Sequence, residues 1–213
     1  MALAGVAAAE TLTFDISRSN DAVTFDFATD VSEILTMTYT DYTFVYGGTN
    51  ATGGWQTPAN ENYTDTFSPN VQLRAGQTDS WTMNFTITNN CDNAITLTQF
   101  TFDGYVINGG GSDKNTEVPA TLTLGEYASS GEVRFENYGS TATATLNLTG
   151  DNLIEIGAGK TVTLALTMSG VRENNTYSGL TGGSVTYSVV PEPTTATLSL
   201  LALAGLAARR RRK

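Results

Sequence analysis

Carboxylates dominate the reactive side chains of this 213-residue chain, which holds 21 Asp and Glu, one Cys and no His. Without His, the commonest general base and the usual triad partner are missing. No G-x-S-x-G elbow, P-loop or dinucleotide fingerprint stands in context. Two carboxylates flanking a glycosidic bond would still suffice for hydrolysis. Glu132 with Glu136, and Asp15 with Asp26, are candidate pairs, although exposed strand and loop acids are their plainer reading. Asp103-Gly104 and residues 109–115 offer oxygen ligands for calcium, but the D-x-[DN]-x-[DN]-G spacing is absent. Cys91 lies in Asn89-Asn90-Cys91-Asp92-Asn93, which reads as a turn, and it has no second Cys to pair with. The residues therefore assign no catalytic group, no metal ligand and no cofactor.

Aromatic residues suggest binding instead. Tyr39, Tyr42, Phe44, Tyr46 and Trp55 crowd one region, with Gly47-Gly48 and Gly53-Gly54 beside them. In Tyr42-Thr43-Phe44-Val45-Tyr46 the even positions share one face, and a core face is its plainer reading. Trp55, set among glycine and polar residues, is the better ligand residue. Trp55 and Tyr46 are the candidate carbohydrate contacts. Trp81 alternates with Met83 and Phe85 and belongs to the core. The many Thr-x-Thr pairs raise ice binding, but they fit the plain outward face of a sheet.

The last 25 residues have a different grammar. Pro191-Glu192-Pro193 is stiff, because proline fixes its own φ and holds its predecessor extended. Residues 194–208 carry no charge and are mostly Leu and Ala. As a helix they would cover roughly 22 Å, short of the ~30 Å hydrocarbon core unless flanking arginines snorkel and the bilayer thins. Arg209, Arg210, Arg211, Arg212 and Lys213 follow at once. Such a cluster marks a cytoplasmic boundary, so everything before residue 194 is expected outside.

This order of parts resembles the PEP-CTERM sorting signal of Gram-negative-type bacteria, also called an ice-binding protein C-terminal domain. The resemblance covers residues 189–213. It implies a substrate of exosortase, a membrane-embedded cysteine transpeptidase that cuts near the motif, with Pro191, Glu192 and Pro193 as the recognition element. It further implies export, frequent glycosylation and association with exopolysaccharide. It transfers no molecular activity to the body.

At the other end, Ala7-Ala8-Ala9 fits an A-x-A signal-peptidase site before Glu10, so residues 1–9 read as a signal-peptide remnant. The body, residues 10–188, is long enough for one domain. Of 11 cations, five lie after Ala208 and no acid does; six cations against 21 acids leave the rest at −15. Such a body excludes nucleic acid and anionic surfaces as partners.

The body's dominant period is two. Trp81-Thr82-Met83-Asn84-Phe85-Thr86-Ile87-Thr88 puts Trp81, Met83, Phe85 and Ile87 on one face. Thr11-Leu12-Thr13-Phe14, Thr24-Phe25-Asp26-Phe27, Thr121-Leu122-Thr123-Leu124, Thr143-Ala144-Thr145-Leu146 and Thr161-Val162-Thr163-Leu164 alternate likewise. Strict alternation means half-buried strands, apolar inward and Thr outward. Residues 81–88 and 95–102 are expected to form a hairpin around residues 89–94. Ala158-Gly159-Lys160 reads as a tight turn. The fold class is all-β: a single β-sandwich, immunoglobulin-like or jelly-roll, followed by a short transmembrane helix.

The expected function is that of an exported, non-catalytic surface or matrix protein. It is anchored transiently with its C-terminus cytoplasmic, cut by exosortase, and then held at the cell surface or released, with exopolysaccharide as candidate ligand. The alternative is a secreted carboxylate-dependent glycan-processing enzyme.

Overall fold

A computed structural model describes residues 8–19, 22–45, 65–69, 72–73, 79–108, 118–127, 129–135, 141–169 and 176–190. Twelve strands are described: β1 (Glu10–Ser19), β2 (Ala22–Phe27), β3 (Leu35–Val45), β4 (Gln72–Leu73), β5 (Ser80–Asn89), β6 (Ile95–Asn108), β7 (Val118–Leu124), β8 (Ser129–Phe135), β9 (Thr141–Asn147), β10 (Ile154–Ile156), β11 (Thr161–Ser169) and β12 (Thr176–Val189). They form two antiparallel sheets, one of them curled as a half-barrel. The first runs β10-β6-β12-β1-β2, with β9 also on β6 and β4 also on β12. The second runs β3-β5-β11-β7-β8. Among the described residues there is no α-helix and no helix able to cross a membrane. Residues 194–208 lie outside the described residues.

The alternation dictates this layering. On β5, Trp81, Met83, Phe85 and Ile87 are fully buried, while Thr82, Asn84, Thr86 and Thr88 face outward. The facing sides of both sheets share one apolar cluster. Phe25 of one sheet meets Phe85 of the other with ring centroids 5.5 Å apart, and Phe85 meets Phe102 edge-on at 6.5 Å. Each large apolar side chain so buried contributes about 1.5–3 kcal/mol. Trp81 also bridges the layers, its indole N–H donating to Ser178 Oγ at 2.8 Å. Trp81→Phe should therefore cost about 1–3 kcal/mol, because it strands a sealed hydroxyl. An unchanged urea midpoint would contradict that role.

The outward threonines are in register. Thr43, Thr82, Thr167 and Thr123 form one line across four strands, as do Thr38, Thr86 and Thr163 across three. Neighbouring hydroxyls bond each other, Thr82 to Thr167 at 2.7 Å and Thr88 to Thr161 at 2.9 Å. Such cross-strand pairs hold a sheet together at its wet face.

The expected hairpin of residues 81–88 with 95–102 is not formed. β5 pairs with β3 and β11, whereas β6 pairs with β12, β9 and β10. The connection is a corner between sheets, and the two strands face each other across the core. Asn89 makes this corner. It continues the inward phase of β5 and is fully buried. Its amide N–H groups donate to Asn93 O, Ile156 O and Gly157 O at 2.8, 2.9 and 3.1 Å, and its Oδ1 accepts from Cys91 N at 2.9 Å. The turn expected at Ala158-Gly159-Lys160 is present, with Gly159 at φ +64° and Lys160 N donating to Gly157 O.

On β3 a bulge between Tyr39 and Asp41 moves the inward phase from odd to even positions. Tyr39 and Tyr42 therefore both reach Phe67, each with centroids 6.3 Å away. The plainer reading of that face as core holds for Tyr42. Phe44, opposite Trp81 in register, stays 36 % exposed. The glycines of β12 answer to close approach: a Cβ on Gly183 would lie 2.1 Å from Thr101 O, and on Gly179 2.2 Å from Phe67 O.

Candidate functional site

Pro191, Glu192, Pro193, the five cations 209–213, Trp55 and Tyr46 all lie outside the described residues. The structure does describe the point from which the tail departs. β12 is a central strand, flanked by β6 and β1. Its last ladder residue, Val189, pairs with Ile95, and Val190 N donates to Ala94 O at 2.8 Å. The fold therefore runs to within one residue of Pro191. On the other side β1 begins at Glu10, opposite Tyr187. The Tyr187 hydroxyl donates to Glu10 Oε2 at 2.7 Å.

Three connections gather at this end. The corner of residues 90–94 carries Asn90, whose amide donates to Ser32 O at 2.5 Å and Thr36 Oγ1 at 2.8 Å. That ties it to the β2–β3 connection. The turn at residues 157–160 is held by Asn89 and by Asn89 N donating to Lys160 O. Cys91 sits half-buried here, its sulfur 3.6 Å from Ile34 O. Burial, then Asp92 and Glu10, push its thiol up, so at neutral pH it is mostly protonated and reacts more slowly than a free thiol.

Two tyrosines resist ionisation. Burial, then the Asp41 charge, pushes Tyr39 up to about 12 from 10.0. Burial, then the bond to Glu10, pushes Tyr187 up as well. The unfolded chain thus releases these protons first. The tyrosines' contribution to stability should be constant below about pH 9 and fall as pH rises toward about 12. Tyr39→Phe should flatten part of that slope in urea titrations. A slope already present below pH 9 would assign it elsewhere.

The carboxylate pairs come out differently. Asp15 and Asp26 are direct cross-strand partners, both exposed on the outer face. Asp26 is bonded by the Ser17 hydroxyl and by Thr24 Oγ1 at 3.2 Å. Asp26 also lines a cleft of about 450 Å³ at the β2–β3 edge, with Asp30, Phe27, Val31, Leu35 and Met37. The side-chain and backbone bonds from Ser32 hold Asp30 below its usual range. A glycosidase acid needs the opposite shift. Glu132 lies in β8, opposite Thr121, and Glu136 lies outside the described residues. Asp103 sits inside β6, where Thr143 Oγ1 donates to it; residues 109–115 lie outside. Among the described residues no three His, Cys, Asp or Glu gather as metal ligands.

Sequence reasoning missed Asn89 and the cleft. Asn89 had a signal, a polar residue at the fifth inward position of a strict alternation. The cleft had none, because it depends on how two sheets meet.

Residues 189–213 match the PEP-CTERM protein-sorting motif. The chain carries a PEP-CTERM sorting signal. That motif implies an exported protein, sorted by exosortase toward the cell surface. No curated protein matches the sequence. The PEP-CTERM signal begins inside the fold, because its first residue, Val189, is still in the β12 ladder.

Proposed function

We propose that this is a non-catalytic surface or matrix protein, held briefly at the membrane by residues 194–208 with residues 209–213 cytoplasmic. Exosortase then separates the body near Pro191, Glu192 and Pro193. The observation that carries this is the PEP-CTERM match at residues 189–213, which begins at the last residue of the final strand. The strand order supports a jelly-roll reading of the body over an immunoglobulin-like one. β1-β12-β6-β9 lie in one sheet and β5-β11-β7-β8 in the other, so along these eight strands the chain changes sheet at every step except the β7–β8 pair, as in paired Greek keys. β2 and β3 then extend one edge of each sheet.

Exopolysaccharide is the ligand class proposed for the body. Hydroxyl and amide side chains in register bond sugar hydroxyls as readily as water, and the acidic body favours a neutral polymer. Trp55 and Tyr46 supply the aromatic contacts. In pull-downs the released protein should be retained on neutral polysaccharide, and Trp55→Ala should weaken retention about tenfold, a stacking contact worth on the order of 1–2 kcal/mol. Equal retention of the variant would remove Trp55 from the site.

The second reading, a carboxylate-dependent glycan-processing enzyme, draws on Asp15 and Asp26. Cross-strand partners stand about 5 Å apart, the separation a retaining pair needs. The exposed setting of both acids and the lowered Asp30 weigh against it. Hydrolysis abolished by Asp26→Asn would favour it.

A further inference from the structure

The route from body to tail is short. Val190 is fixed to Ala94, and the apolar run begins at residue 194. At ~3.3–3.6 Å per residue, the chain between them spans at most on the order of 14 Å. The polar layer on each side of a bilayer takes up roughly 5–7 Å of that. We infer that, before cleavage, the body stands end-on at the membrane, with the corner 90–94, the turn 157–160 and the start of β1 turned to the lipid surface. This rests on the reading of residues 191–213 given above.

Two features of the fold enforce the orientation. β12 is a central strand with neighbours on both sides, so its exit direction belongs to the whole sheet. Its last residues are clamped by Ile95 and Ala94, which belong to the corner itself. With at most about 14 Å of chain between this end and the apolar run, the body has little room to swing aside. The chemistry of the end suits a temporary stay. Glu10, Glu33 and Asp92 are exposed there with Lys160 as counter-charge. An acidic end is repelled by anionic headgroups, so proximity depends on the tether and ends with the cut.

Cys91 supplies the probe, as the single cysteine of the chain, half-exposed in this corner. A bulky membrane-impermeant maleimide would be applied to the uncleaved full-length protein in membranes and to the released protein. We expect Cys91 to label at least fivefold more slowly in the anchored form. In a Cys91→Ser background, Thr141→Cys at the opposite end of the sheet should label equally in both forms. Twelve Gly/Ser residues inserted between Val190 and Pro191 should remove the protection. Equal labelling of Cys91 in anchored and released protein, or protection that survives the insertion, would overturn the inference. A chain that is never anchored or released would instead defeat the sorting reading, so the two failures are distinguishable.

Discussion

Asn89→Ala should destabilise the body by about 3–5 kcal/mol, the largest loss expected from any single polar side chain described. The substitution removes four hydrogen bonds at a fully buried position. Two of its acceptors, Ile156 O and Gly157 O, belong to the connection that carries the chain into β11, and one, Asn93 O, to the corner into β6. Gly157 O keeps its bond from Lys160 N, but Asn93 O, Ile156 O and Cys91 N each lose this partner, at about 1–3 kcal/mol for a buried group, and water entering the corner recovers part of it. The expected readout is a lower urea midpoint with an unchanged slope. Asn89→Asp keeps Oδ1 but offers no N–H to the carbonyls, so it should be as damaging. A loss under 1 kcal/mol for both variants would show that the corner is held by packing alone.

The largest functional effect is expected at Glu192. Glu192→Ala should abolish tail removal and leave the full-length chain in the membrane fraction. Deleting residues 209–213 should have a related outcome for a different reason. Without the cations the apolar run loses the charge that holds its end on the cytoplasmic side. Neither change touches the described body, so secreted and retained forms should melt at the same temperature. That separates a sorting defect from a folding defect.

Much of the fold was legible because burial writes itself into alternation. Phe14 and Ile16, then Trp81, Met83, Phe85 and Ile87, then Leu164 and Leu166 all occupy inward positions. Pairing was less legible. Residues 81–88 and 95–102 look like a hairpin because a short polar connection separates two alternating runs. A corner between sheets has the same local appearance. What distinguishes them is Asn89, an amide in core phase that bonds carbonyls from two separate stretches, the corner itself and residues 156–157. The bulge at Thr40 was also hidden, since a single unpaired residue shifts phase without changing composition. Asp15 and Asp26 became neighbours only through the register of β1 on β2. The sorting signal was the reverse case: its chemistry is local and contiguous, so residues 189–213 declare it without any fold.

The proposed role stands or falls on cleavage close to the end of β12. The most direct measurement is the intact mass of the protein recovered outside the cell, beside that of the Glu192→Ala chain. The expected product is a released body whose C-terminus falls near Pro191–Pro193, with residues 194–213 missing, and no released product from the variant. A released protein that still carries residues 194–213, or a variant released with the same mass as the unaltered chain, would contradict it.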